Sequence, residues 1–200
     1  MSDSEPEDLI VVTSENLRGL AHPLRVRLLG LLRTYGPATA TSLAEQLGLT
    51  SGALSYHLRQ LEKYGFIVED TERGNARERW WRAAHRTTIF EMDVPDGEGL
   101  IYEDAIVDAM VRNIARSRAA RYDLPEPWRR ALSLSDVLLQ LTPDEASRLG
   151  AELNALLESY RGHRVGEPAP EGTRLVVAQF QLLPMPDGMA APGASEAGPA

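Results

Sequence analysis

The hydrophobic and polar positions of residues 14–86 predict four helices followed by two strands. Leucines recur at helical spacing after Pro23, which suits a first helical turn because proline lacks an N–H there. Gly36-Pro37 is expected to end that helix, and Gly65 the fourth one. The predicted elements are a short helix at 14–20, helices at 23–36, 41–47 and 50–65, and strands at 66–72 and 77–83.

After a Pro/Gly/acid-rich break at 93–99, the pattern predicts a second, α+β part of the chain. It would contain a long helix at 100–121, an amphipathic helix at 144–160 and strands at 134–141 and 174–183. The predicted fold class is therefore mostly α with a small β component. The expected division is 1–8 and 184–200 as disordered tails, 9–92 as the first domain and 97–183 as the second.

The fourth predicted helix has two faces of different chemistry. Leu54, Leu58 and Leu61 fall on one face and should be buried, whereas the opposite face begins with small residues and continues with polar and basic ones. Such a helix can lie deep in the DNA major groove, with Tyr56 facing base edges. The residues of this helix predicted to bind DNA are Ser51, Gly52, Ser55, Tyr56, His57, Arg59, Gln60 and Lys63.

The charge distribution permits a local site for a polyanion, although the chain has a net charge of −8. Residues 14–86 contain eleven Arg and Lys against seven Asp and Glu, whereas residues 87–200 contain ten against eighteen. Basic charge is thus concentrated in the block that holds the fourth helix.

Two arginines flank the tip of the hairpin that follows this helix. Arg73 and Arg77 enclose the sequence GNA, and a tip this small can enter or straddle a minor groove. The alternative is a solvated turn, where arginines are common. We expect DNA contact because the preceding helix would bring the hairpin close to DNA.

Three features together resemble the winged helix-turn-helix of the arsenic-repressor-like (ArsR) family of bacterial transcription regulators. They are LAHPLR at 20–25, LAEQLGLTSGALSYHLRQLEKYGFI at 43–67 and the arginine hairpin, and the resemblance covers about 14–84. The part after Leu100 is similar to the longer C-terminal part of some actinobacterial members. The resemblance implies a homodimer that reads a palindromic operator, usually as a repressor released by a ligand.

The long helix at 100–121 is apolar over more than one face, so it requires partners on two sides. A two-fold axis lets such a patch cover itself in a homodimer. The residues predicted to make this dimer contact are Ile101, Val107, Met110, Val111 and Ile114.

No metal or cofactor is expected. The chain has no cysteine and four histidines, none of them on the long helix, while zinc prefers nitrogen or sulfur ligands. His22 is expected to cap a helix, and His57 fits a structural hydrogen bond as well as a DNA contact.

No enzymatic activity is expected either, because the sequence shows no nucleophile with a positioned base and no phosphate-binding loop. The alternative to operator binding is a winged-helix protein-interaction module, whose acidic C-terminal half would suit a basic partner. The expected partners are double-stranded DNA and a second copy, with a small-molecule effector left open. The expected location is cytoplasmic, without membrane contact.

Overall fold

The computed structural model describes residues 7–13, 15–73, 78–90, 97–160 and 162–185. Single turns of 3-10 helix lie at Leu17–Gly19 and Arg121–Asp123. The helices and strands are β1 Glu7–Val12, α1 Pro23–Tyr35, β2 Ala38–Thr39, α2 Ala40–Leu47, α3 Ser51–Lys63, β3 Ile67–Glu69, β4 Trp80–Ala83, β5 His85–Phe90, α4 Gly97–Ala119, α5 Glu126–Ala131 and α6 Pro143–Glu158.

The strands form two small sheets. β2, β4 and β3 make an antiparallel sheet with β4 in the centre, which confirms the predicted hairpin of a winged helix. β1 and β5 pair in parallel, from Glu7 opposite His85 to Val12 opposite Phe90. This second sheet was not predicted. β1 begins inside the expected disordered tail, because the apolar run LIVV finds a partner strand far along the chain.

One core lies beneath the helices and the three-stranded sheet. Leu28 in α1, Leu54 in α3 and Phe66 before β3 have no exposed surface. Trp80 and Trp81 are neighbours on β4, so they point to opposite faces of the strand, and Trp81 belongs to this core. The predicted helical leucine pattern is therefore confirmed in α1 and α3.

The long helix α4 packs its inner face against α1 and the same core. Tyr102 and Ala105 are buried there, whereas Val107 and Val111 are more than half exposed. The sequence assigned this helix to a second domain. In the structure it belongs with the winged helix to a compact unit that runs to Leu132 and includes His163–Leu175.

Half-buried Arg33 connects α1 to β5. Its Nε donates to the carbonyl oxygen of His85 at 2.9 Å, and its Nη2 donates to Thr88 Oγ1 at 2.8 Å. Burial lowers the pKa of Arg33 to about 10 and raises the pKa of Tyr102 to about 12, and each group partly offsets the shift of the other. Arg33 therefore stays charged and Tyr102 neutral at neutral pH.

Among the described residues, the second compact unit consists of Ser133–Gly162 and residues 176–185. The predicted helix at 144–160 is confirmed as α6, which starts with a capping box between Thr142 and Glu145. The strands predicted at 134–141 and 174–183 are wrong, because both segments are irregular. An apolar, β-branched run becomes a strand only when its backbone groups find a partner.

The described part of the chain contains no helix long and apolar enough to cross a membrane.

Candidate nucleic-acid interface

The α2-α3 pair has the geometry of a helix-turn-helix. α2 ends at Gly48, whose left-handed backbone (φ 66°) makes the tight turn that a side chain would disfavour. Ala44, almost fully buried, allows close approach of the two helices. Leu54, Leu58 and Leu61 are fully buried and hold one side of α3 against the core. The opposite side of α3 is thereby directed outward.

The N-terminal turn of α3 is open and free of negative charge. Ser51, Gly52 and Ala53 are exposed, and the Thr50 side chain makes no capping hydrogen bond. No acidic residue lies in this first turn. The backbone N–H groups and the positive end of the helix dipole can therefore receive a phosphate.

The middle of the outer face presents Tyr56, whose side chain is 56% exposed. Ser55 and Gln60 flank it and are half-buried. Ser55 Oγ donates to the Ser51 carbonyl at 2.9 Å, and Arg59 Nε donates to the Ser55 carbonyl at 3.2 Å. Tyr56 is thus an exposed aromatic side chain on this face and is available to a base edge.

The C-terminal part of the outer face is basic. Arg59 and Lys63 are exposed, and Lys63 Nζ lies 5.3 Å from the centroid of the Tyr64 ring. Cations at this end of a recognition helix suit the phosphates that border the groove.

His57 lies at the border of the outer face, with its ring centroid 5.4 Å from that of Tyr56, and it forms a cluster with His22 and Arg25. The two imidazole centroids are 4.5 Å apart, and His22 Nδ1 accepts from the Leu24 N–H at 3.1 Å, which confirms His22 as the cap of α1. His57 Nδ1 is buried without a hydrogen-bond partner among the described residues. Burial, then His22 and Arg25, lowers the pKa of His57. Burial and Arg25 likewise lower the pKa of His22.

At the hairpin, two exposed arginines make ion pairs within the wing. Arg73 Nε lies 3.5 Å from Asp70 Oδ2, and Arg79 Nε lies 3.7 Å from Glu69 Oε2. Exposed pairs of this kind are weak, so a phosphate can compete for either arginine. Arg77 lies outside the described residues. Arg79 was not in the predicted set, although its place beside the tip could have suggested it.

Within the described ranges, no three His, Asp or Glu side chains come together as a metal site would require. The chemistry that the described surface offers is instead donors and cations around an exposed helix.

Comparison with known protein families matches residues 20–70 to a helix-turn-helix domain. Comparison with curated proteins finds the HTH-type transcriptional regulator NmtR of Mycobacterium tuberculosis, 40% identical over 57 residues. The matched stretch is 28% of this chain and 47% of NmtR, so the chain spans about half the length of this relative.

The solved structures that are similar to this chain include ZitR and MarR, both at low similarity. ZitR of Lactococcus lactis is 16% identical with a TM-score of 0.29, over 74% of this chain and 86% of ZitR. MarR of E. coli is 18% identical with a TM-score of 0.30, over 72% of this chain and 86% of MarR. Values this low give no residue-by-residue correspondence. The helix-turn-helix match and the likeness to NmtR support the resemblance seen in the sequence: residues 20–70 form a helix-turn-helix domain that is similar to part of NmtR.

Proposed function

We propose that this chain is a sequence-specific DNA-binding transcriptional regulator that binds a palindromic operator as a homodimer and acts as a repressor. The observation that carries the proposal is α3, whose three leucines are fully buried while its small, polar and basic residues face outward. The name of NmtR, an HTH-type transcriptional regulator, supports the same function.

Each part of the surface then has a role in binding. The open first turn of α3 receives a phosphate and lets the backbone approach the groove floor. Tyr56, with Ser55 and Gln60, reads base edges, while Arg59 and Lys63 hold the phosphate backbone. Arg73 and Arg77 would extend the contact to the neighbouring groove.

The dimer contact that we propose is the outer face of α4. Val107, Val111 and Ile114 share this face and are 42–58% exposed, on the side opposite the buried Tyr102. Asp104 lies on the same face seven residues before Val111, and Arg118 lies seven residues after it. An antiparallel pair of α4 helices centred on Val111 therefore places Asp104 of each copy opposite Arg118 of the other.

The remaining predicted dimer residues lie at the borders of this face. Ile101 is exposed and Met110 is partly buried. Their positions suit the flanks of a helix pair more than its centre line.

Selection of bound fragments from random DNA tests the function directly. The purified full chain should enrich an inverted repeat, and the matched variant Arg59→Ala/Lys63→Ala should enrich it much less. If no sequence is enriched and the affinity for DNA does not fall with salt, the proposal is wrong. That result would favour the protein-interaction module instead.

A further inference from the structure

His22 caps the first turn of α1 with a side chain that can gain a proton near neutral pH. Its Nδ1 accepts a hydrogen bond from the Leu24 N–H at 3.1 Å, and its backbone is extended, as at an ordinary N-cap. The usual residues at this position are Ser, Thr, Asp and Asn, and none of them gains a positive charge. An imidazole nitrogen accepts a hydrogen bond only while it carries no proton. The cap of α1 therefore depends on a neutral His22.

The same imidazole contacts α3. The centroids of the His22 and His57 rings are 4.5 Å apart, and the ring planes are tilted by 53°. The His57 ring meets the Tyr56 ring edge to face, with centroids 5.4 Å apart and planes at 77°. On its other side, His57 is followed by Leu58, which is fully buried. The contact between the two imidazoles thus joins the start of α1 to the part of α3 that carries Tyr56.

The surroundings of the two rings disfavour a positive charge on either of them. Burial and then Arg25 lower the pKa of His22, while burial, His22 and Arg25 lower the pKa of His57. Neither pKa shift has a contribution from the charged side chains of α4, from those further along α1 and α3, or from those of the other packed elements, which are Arg18, Glu45, Glu69 and Arg82. A proton on His22 therefore meets only repulsion from Arg25 and, when that ring is also charged, from His57.

We propose that His22 is a positioning residue for DNA binding, which holds α3 and Tyr56 in place through His57 only while its own ring is neutral. The inference rests on the proposed function. Protonation of His22 removes the acceptor of the Leu24 N–H and puts a cation at the N-terminus of α1, where the helix dipole opposes it. The contact between α1 and α3 is then loosened, and sequence-specific binding weakens in acid. Because His22 is exposed, it exchanges protons with solvent without any opening of the fold.

His22→Asn tests the proposal, because asparagine keeps a cap acceptor and does not titrate. The affinities of the full chain for its selected site and for random DNA are measured from about pH 7.5 to about pH 5.5, where histidines titrate. In the wild type, the ratio of the two affinities should fall on the order of tenfold over this range. In His22→Asn, the ratio should match the wild-type value at neutral pH and stay nearly constant. His163→Gln, which replaces another exposed histidine, is the control and should lose specificity in acid as the wild type does.

Nuclear magnetic resonance of the free protein tests the same contact without DNA. In the wild type, the ring signals of Tyr56 should shift as His22 titrates, and in His22→Asn they should shift less. The pKa of His57 should rise toward its ordinary value in this variant, because the repulsion from His22 is gone while Arg25 remains. A pKa of His57 that is the same in both proteins would overturn the proposal.

The DNA measurements separate this inference from the proposed function. If specific binding is present at neutral pH but the wild type and His22→Asn lose it equally in acid, the positioning role is wrong and the function stands. An affinity that increases in acid would make the histidines phosphate contacts and would also overturn the positioning role. If no sequence is preferred at neutral pH, the proposed function itself fails, and the inference that rests on it fails too.

Discussion

Tyr56 offers the sharpest test at the level of single residues. Because it is the exposed aromatic side chain at the centre of the α3 outer face, Tyr56→Ala should weaken binding and relax sequence preference. A lost base contact costs about 1–3 kcal/mol. Competition between the selected site and random DNA measures the change. Tyr56→Phe keeps the ring and isolates the hydroxyl, and equal weakening on both DNAs would show that Tyr56 does not read bases.

The wing arginines should act through phosphates and not through base identity. Arg73→Ala with Arg77→Ala should reduce the slope of log affinity against log salt by roughly one unit for each lost phosphate contact. Arg148→Ala, an exposed arginine on α6, is the control and should leave the slope unchanged. An unchanged slope in the double variant would place the wing tip in solvent.

His57 should make the fold sensitive to acid. Its pKa lies below the ordinary value of 6.5 in the folded protein, so the unfolded chain binds a proton more readily. Stability should therefore decrease as the pH falls below 6.5 toward the folded-state pKa. His57→Gln removes this titration and should reduce the difference in urea midpoint between neutral and acidic buffer. If the difference in urea midpoint between the two buffers is the same in the variant and the wild type, groups other than His57 cause the acid sensitivity.

At the level of elements, the antiparallel α4 pair can be tested by reversing the charges of Asp104 and Arg118. Each single reversal should weaken the dimer, and the two together should restore it. Asp104→Arg or Arg118→Asp alone should place like charges opposite each other twice per dimer and raise the dimer dissociation constant about tenfold. The combined variant restores opposite charges and should return close to the wild-type value. Sedimentation over a dilution series measures all four proteins. If the double variant is weaker than both single ones, the helices do not pair in this register.

Which elements could be predicted from sequence depended on where their partners lie. α1, α3 and the hairpin could be predicted from local sequence. Leucine spacing marks the buried side of each helix, and Gly36 and Gly48 end the helices that precede them. The two-stranded sheet was missed because β1 and β5 are far apart in sequence. The ring contact of His22 and His57 was missed for the same reason, since it joins α1 to α3. The strands at 134–141 and 174–183 were predicted from composition alone, and composition cannot supply a partner.

At the level of the whole molecule, a dimer held by α4 fixes the spacing of the two α3 helices. Half-sites should lie about one turn of DNA apart, ~34 Å. Insertion of about five base pairs between them turns one half-site to the opposite face of the duplex, and affinity should then fall to that of a single half-site. Gel-shift titration of spacing variants measures this. Equal binding at every spacing would mean that the two recognition helices are not rigidly linked.

During synthesis, β1 leaves the ribosome long before its partner strand exists. Glu7–Val12 can pair only after the chain has passed Phe90, whereas α2 and α3 follow each other in the chain and pack together. Closing so long a loop is entropically costly and comes late in folding. The apolar strand LIVV thus remains open to other chains while the helices are already formed. The parallel pairing of β1 and β5 makes the first strand of the chain one of the last to fold.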